Sequence, residues 1–448
     1  MSADWDMAAE GIGAAGPPVL QTRIAAGPGS RMWFERCRGG FEVRCALGGT
    51  RAAIVSRLLA DGTLTALGNG GLVPEFRTRT EVTRAMSIRA VGSVVPLAPS
   101  EWCGRMWQAS AVLVLRLLAT LLPMGLTLSD IRPEYVLLRR GCRPVFANVG
   151  AIAATRDHAP AAALWQFAHV MLTPLFLCSI GRSGTLRRLL ASGDCDAPWQ
   201  TFPELAQAAL AACDPGREPQ ACDFERIASD TAVLKLPEPA TFWSGYYQRP
   251  LSIDRTESWP YKNHAVERLL SATAPESILD LAANTGWYAR VGARKGARAI
   301  AVDNDETCVN RLFAAVEGAD VELVPVVMDI LNPSILPGPT EQQRLSARAR
   351  FSAEALLALA ICHHLVLSPP WLEFGEVARL LAGFTTRYLI TEFVSFEPAS
   401  HNPYLPSSRP GCEAWYKLEH FVTALKSRFK EVVLVPGPQG RRLVLAEK

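Results

Sequence analysis

Ser277-Ile-Leu-Asp-Leu-Ala-Ala-Asn-Thr-Gly-Trp287 decides how the second half of this 448-residue chain folds. Ser277 to Leu281 has the length and apolar character of a buried strand, and the small residues after it suit a tight turn into a helix. The same unit recurs downstream. Ala299 to Val302 makes a second strand closed by Asp303, 23 residues beyond Asp280, and Val321 to Met328 makes a third closed by Asp329. Between them Val309, Leu312, Phe313 and Val316 repeat at helical spacing. Apolar runs at Ala355–Ile361, Tyr388–Phe393, Val432–Val435 and Leu443–Leu445 complete seven strands, which with the intervening helices predict a doubly wound α/β sheet. A short Pro-Gly-Pro-Gln-Gly turn separates the last two strands. A parallel pair needs a crossover of about a dozen residues, so this pair is predicted to be an antiparallel hairpin.

An acid at the end of the second strand accepts hydrogen bonds from ribose hydroxyls in nucleotide-binding βαβ units. The loop after the first strand is poor in glycine: Ala282 and Asn284 stand in a turn where only Gly286 remains. Alanine is expected to turn here with negative φ, whereas asparagine tolerates positive φ. A dinucleotide pyrophosphate turn wants Gly-x-Gly-x-x-Gly, and this loop supplies one glycine of that set. The loop, with Asp280, Asp303 and Asp329 in register, resembles motif I and the following acidic positions of class I S-adenosylmethionine-dependent methyltransferases, where motif I runs close to Asp-x-Gly-x-Gly-x-Gly. The resemblance implies S-adenosyl-L-methionine as cofactor. It is expected to be lined by Asp280, Ala282, Asn284, Thr285, Gly286, Asp303, Asn304, Asp329 and Ile330, with Asp303 at the ribose and Asp329 near the adenine amino group.

Ligands of open α/β sheets bind outside the carboxyl ends of the strands. The fourth strand reads as ending in Ile361-Cys-His-His-Leu365 and the fifth in Leu389-Ile-Thr-Glu-Phe393, so His363, His364 and Glu392 are the candidate catalytic residues. A neutral histidine can take a proton from a hydroxyl or amine; orienting the loops is the structural alternative. The aromatic, proline-rich segment 236–262 bridges the two halves, and Trp243, Tyr247, Tyr261 and Lys262 in it could form a lid or substrate wall. Packing between the halves is the other reading.

Asp280–Gly286, Val327-Met-Asp-Ile-Leu-Asn-Pro333 and Leu357-Ala-Leu-Ala-Ile-Cys-His-His-Leu365 together resemble a bacterial methyltransferase family that includes a host-specific rhizobial nodulation protein, as do Gly125-Leu-Thr-Leu128 and Arg143-Pro-Val-Phe146 upstream. This implies a small-molecule or carbohydrate-type acceptor. The upstream part also looks like a decayed kinase core. Ser129-Asp-Ile-Arg-Pro-Glu-Tyr-Val136 sits where a catalytic loop would be, and Ala147-Asn-Val-Gly150 where Asp-Phe-Gly would follow. Asp130 survives, but Tyr135 and Asn148 replace the metal-binding Asn and Asp, so phosphoryl transfer is not supported.

The expected organisation is a flexible leader over 1–30, an α+β degenerate kinase-like region over 31–235, the aromatic bridge over 236–262, and the cofactor-binding domain over 263–448. Short alternating runs broken by glycines from Met32 to Ala90 suggest an antiparallel β-rich lobe. The apolar runs Ala111 to Leu128 and Ala161 to Ile180 carry Arg116 and Pro123, and Gln166, His169 and Pro174, and read as buried helices rather than membrane spans. A net charge of +3 gives no reason to expect a nucleic-acid partner. Eleven scattered cysteines without a Cys-x-x-Cys pair argue against a disulfide framework or a zinc site, and point to a reducing cytoplasm. The N-terminal region could serve a partner protein. A non-catalytic cofactor-binding scaffold, and an enzyme using the sulfonium for non-methyl transfer or cyclisation, remain the alternatives.

Overall fold

The alternation of apolar and polar residues along Gly40–Gly48 places Phe41, Val43, Cys45 and Leu47 on one buried face. In the computed structural model this strand is the middle of an N-terminal sheet. The described residues are 21–24, 30–37, 40–80, 85–92, 94–213, 216–246, 252–336, 344–398, 401–402, 409–438 and 440–448. Most of the expected leader, and Tyr247, therefore lie outside them.

The N-terminal sheet contains β1 (Gln21–Ile24), β2 (Ser30–Cys37), β3 (Gly40–Gly48), β4 (Phe76–Thr80) and β5 (Ala85–Ala90). It is antiparallel throughout, in the order β1-β2-β3-β5-β4. Helices Gly49–Ala60 and Thr63–Asn69 lie between β3 and β4, which the glycine-broken runs did not foretell. Helix Gly104–Leu121 follows, then β6 (Leu126–Leu128), the hairpin of β7 (Val136–Arg139) and β8 (Arg143–Phe146), and β9 (Ile152–Ala154), which pairs back to β6.

Two helical stretches, Gly104–Met124 and Pro160–Ser179, are long and apolar enough to cross a membrane. Most of each is buried inside the protein, and Arg116 emerges on the exposed side of the first. The second carries a π-helical turn at Ala168–Leu172.

The C-terminal sheet is built from β10 (Ser277–Leu281), β11 (Arg298–Asp303), β12 (Leu323–Val327), β15 (Ala353–Ala358), β16 (Thr385–Val394), β17 (Glu431–Pro436) and β18 (Arg441–Glu447). A small hairpin of β13 (Ile335–Leu336) and β14 (Leu345–Ser346) interrupts the series. The strand order is β12-β11-β10-β15-β16-β18-β17. The first five are parallel, and β18 runs antiparallel to both β16 and β17, so the terminal hairpin is as expected. The chain reverses its direction of build between β10 and β15, and such a switch point opens a crevice at the carboxyl ends of the strands.

Two strand ends differ from expectation. β12 stops at Val327, so Asp329 lies in the following turn, where its carboxylate accepts the Leu331 N–H at 2.9 Å. β15 stops at Ala358; Ala360 then takes a left-handed φ of 52°, and Cys362–Leu367 forms a short helix. The apolar run through Ile361 looked continuous, but a left-handed residue cannot extend a strand. His363 and His364 therefore sit on a helix above the sheet.

One apolar core runs from the N-terminal sheet through helix Gly104–Leu121 to one face of the C-terminal sheet. The opposite face packs on its own helices. Ion pairs reinforce the junction. Arg350 and Glu101 meet with two contacts of 2.6 Å at a fully buried site. Glu306 accepts the Gly104 N–H at 2.9 Å and pairs with Arg187 at 2.8 Å.

Candidate cofactor and acceptor site

A cavity of about 310 Å³ opens at the carboxyl ends of β10, β11 and β15 beside the turn after β12, within the range of roughly 300–1,000 Å³ usual for small-molecule sites. Its apolar wall includes Val302, Met328, Ile330, Leu331 and Leu359.

The loop after β10 forms one end. Ala282 has φ of 56° and Asn284 φ of 52°. The expectation of negative φ at Ala282 is corrected: the turn needs the left-handed region here, and alanine occupies it at a cost of about 1–2 kcal/mol. Asn284 adopts the positive φ expected of it. Gly286 (φ 68°) lies behind the cavity wall, where an added Cβ would come within 2.6 Å of Leu312; close packing as well as φ demands glycine. Thr285 is half-buried beside it, outside the cavity lining.

Asp280 and Asp303 stand side by side at the strand ends. Asp280 accepts the Ala289 N–H at 3.2 Å. Burial, with the nearby Asp303 charge, pushes its carboxyl up to about 7. Asp303 accepts N–H groups from Asn284 at 2.6 Å and Asp305 at 2.9 Å, and burial raises its carboxyl despite them. Asn304, Asp329 and Ile330 complete this end of the lining.

The aromatic bridge crosses the mouth. Asn284 donates its side-chain N–H to the Trp243 carbonyl at 2.8 Å, and Arg311 donates to the Ser244 carbonyl at 2.8 Å. Thr241 bonds the Asp305 carboxylate. The Trp243 ring meets His364 edge to face at 5.0 Å. Phe242 and Tyr246 line the cavity while remaining 74% and 47% exposed. Tyr261 is 50% exposed and lies outside the lining, because it opens helix Tyr261–Thr273 and its neighbour Lys262 points inward instead.

His363 and His364 face the cavity with ring centres 4.1 Å apart. Burial, then the His364, Arg441 and Lys262 charges, pushes His363 down to about 2. Burial and Arg441 push His364 to about 4. Both are neutral near pH 7, yet weak bases. Glu392 is fully buried and holds Lys262 at 2.6 Å and Arg441 at 3.2 Å. Burial alone would raise its carboxyl, but the two cations outweigh that and hold it below the usual range. Glu392 is thus tied to two cations and lies outside the cavity lining.

Arg441, Tyr288, Ser368 and His401 also line the cavity and carried no sequence signal of their own. Arg441 was findable in hindsight, as the first residue after the tight turn of the terminal hairpin, next to the strand that bears Glu392.

No family profile matches the chain. It is 26% identical over 385 residues to nodulation protein NoeA of Rhizobium meliloti (strain 1021), covering 76% of this chain and 77% of that protein. Among solved structures, magnesium protoporphyrin IX methyltransferase (ChlM) from Synechocystis PCC 6803 with bound SAH aligns at 15% identity over 42% of this chain and 81% of its own, with a TM-score of 0.29. The bifunctional kinase-methyltransferase WbdD aligns at 21% identity over 41% of this chain, with a TM-score of 0.29; the match spans 37% of WbdD. The chain is thus a homologue of a rhizobial nodulation protein, and carries an α/β sheet of seven strands ending in an antiparallel hairpin.

Proposed function

We propose that the chain is an S-adenosyl-L-methionine-dependent methyltransferase acting on oxygen or nitrogen of a small-molecule or carbohydrate-type acceptor. The observation that carries this reading is the pairing of Asp280 and Asp303 at adjacent strand ends in one cavity, beneath a left-handed Ala282–Asn284 turn. The residues suit the cofactor. Asp303 offers carboxylate oxygens to ribose hydroxyls, Val302, Met328 and Ile330 offer an apolar slot for adenine, and Asp280 offers an acceptor for an ammonium group. Ala282, Asn284 and Asn304 line the same space, Asp329 stands at the adenine end, and Thr285 and Gly286 shape the turn.

Bound there, the cofactor supplies an activated methyl group. The chain's own contribution is to exclude water with Trp243 and the bridge, and to present neutral His363 and His364 as hydrogen-bond acceptors for the incoming group. Lys262 and Arg441, fixed by Glu392, supply positive charge beside them.

The N-terminal region is read as a degenerate kinase-like lobe used for packing or for a partner protein. What supports this is Asp130, buried and accepting the Tyr135 hydroxyl at 2.7 Å and the Arg132 guanidinium at 3.2 Å. Asp130 stands at the position of the catalytic-loop base, and its oxygens are taken up by Tyr135, which occupies a metal-binding position, and by Arg132. ATP hydrolysis that vanishes in Asp130→Ala would overturn it.

Incubation with S-adenosylmethionine and a broad acceptor panel, followed by mass spectrometry of the nucleoside product, tests the main reading. S-adenosylhomocysteine is expected. Methylthioadenosine would instead favour non-methyl use of the sulfonium, and cofactor binding without either product a scaffold.

A further inference from the structure

The bridge is fastened on one side of the cavity and reaches over to the other. Asn284 donates its side-chain N–H to the Trp243 carbonyl at 2.8 Å, and the Asp305 carboxylate holds the Thr241 hydroxyl. Both fasteners are rooted on one acid. Asp303 accepts the Asn284 N–H at 2.6 Å through one oxygen and the Asp305 N–H at 2.9 Å through the other. Thr241 and Ser244 then close the turn between them, each hydroxyl accepting the other residue's N–H, at 2.9 and 2.8 Å. From this turn the Trp243 ring meets His364, which follows β15 across the switch point. Asn284 has a φ of 52°, which glycine would adopt without strain. What asparagine adds is its amide: the oxygen accepts the Thr285 N–H at 2.8 Å, which turns the nitrogen toward Trp243.

We propose that Asn284 is a positioning residue that links the cofactor's seat at Asp303 to the bridge, so that cofactor binding fixes Trp243 and completes the acceptor wall beside His364. This rests on the methyltransferase reading, which puts the cofactor's ribose at Asp303. A ligand shifts a segment only as far as it favours one position of it. Donors on the cofactor supply that preference: they restrain the Asp303 carboxylate in the arrangement that holds both Asn284 and Asp305. The acceptor wall is then complete in the loaded protein, and the acceptor follows the cofactor. The exposure of Phe242 suits a segment whose position a few bonds decide. Arg311 also holds the bridge, through the Ser244 carbonyl at 2.8 Å, but from helix Glu306–Val316 rather than through Asp303.

The test is amide hydrogen exchange of the Thr241–Tyr246 segment in the full chain, read by mass spectrometry with and without saturating S-adenosylhomocysteine. Calorimetry on the same samples establishes that the ligand is bound. In the wild type, S-adenosylhomocysteine is expected to slow exchange of the segment by about fivefold or more, the scale of one net hydrogen bond. Asn284→Gly, and separately Thr241→Val, are expected to exchange faster and to lose most of that response. Thr241→Ser keeps the hydroxyl and is expected to recover it. Arg311→Met separates coupling from simple loosening: exchange should rise with and without ligand while the response to ligand stays. Because Asn284 lines the cavity, Thr241→Val decides the matter if Asn284→Gly binds ligand too weakly to saturate. Bound ligand that leaves the wild-type segment unchanged overturns the proposal. So does a full response in Asn284→Gly or Thr241→Val, or a response lost equally in Arg311→Met. Failure of the wild type to bind S-adenosylhomocysteine is a separate outcome that removes the methyltransferase reading, and this proposal with it.

Discussion

Replacing Arg350 with methionine is expected to destabilise the whole protein, not one part of it. The guanidinium is fully buried, donating to Glu101 through two contacts of 2.6 Å and to the carbonyls of Pro96 at 2.9 Å, Ser334 at 3.0 Å and Leu345 at 3.2 Å. Glu101 keeps the Ala98 N–H at 2.7 Å and the Ser334 hydroxyl, too little to offset a buried negative charge. Breaking such a pair costs about 3–5 kcal/mol, a large share of the roughly 5–15 kcal/mol that holds a folded domain together. Glu101→Leu alone should cost a similar amount. The double variant should cost less than the sum by at least about 1–2 kcal/mol, because no uncompensated charge remains, although three carbonyls still lack their donor. Urea unfolding monitored by tryptophan fluorescence gives all four stabilities. The shared core predicts that these variants shift one cooperative transition. A coupling below about 0.5 kcal/mol, or single variants within 1 kcal/mol of wild type, would refute the claim that this pair ties the two parts together.

Ala282→Gly should be neutral or stabilising by up to about 1 kcal/mol, since relief of the left-handed strain exceeds the added chain entropy; a clear loss in urea midpoint would contradict the φ of 56°. His364 has a folded pKa of about 4, below its ordinary value, so the unfolded chain binds its proton more readily. Stability is therefore lost as pH falls from about 6.5 to about 4, by up to roughly 3 kcal/mol, and His364→Gln should flatten that limb of the pH–stability curve. Lys262→Met leaves Glu392 with one cation instead of two; its carboxyl should titrate at higher pH, read as an earlier loss of stability on acidification, and an unchanged acid midpoint would argue against the shared pair.

What could be read in advance follows from the range of the interactions. Asp280 and Asp303 were visible because strand periodicity and a short repeat fix them locally, and the terminal hairpin because a short turn cannot carry a crossover. The left-handed φ of Ala282 is not legible in the sequence, because an isolated alanine carries no mark of its φ. His363 and His364 were placed near the cavity, but on a strand rather than a helix, because the run through Ile361 hides the break at Ala360. The Lys262–Glu392 and Arg350–Glu101 pairs join residues 130 and 249 positions apart, and no local pattern announces such partners. Tyr261 was named with Lys262 as one wall, yet helical geometry turns adjacent residues to different faces.

The central claim is that Asp303 and its neighbours form a cofactor site. Calorimetric titration of S-adenosylhomocysteine into wild type and Asp303→Ala tests it most directly. Saturable binding by the wild type, weakened by about tenfold or more in Asp303→Ala through loss of charge-assisted hydrogen bonds, is the expected result. No binding by the wild type at millimolar ligand, or equal affinity in the variant, would contradict the account.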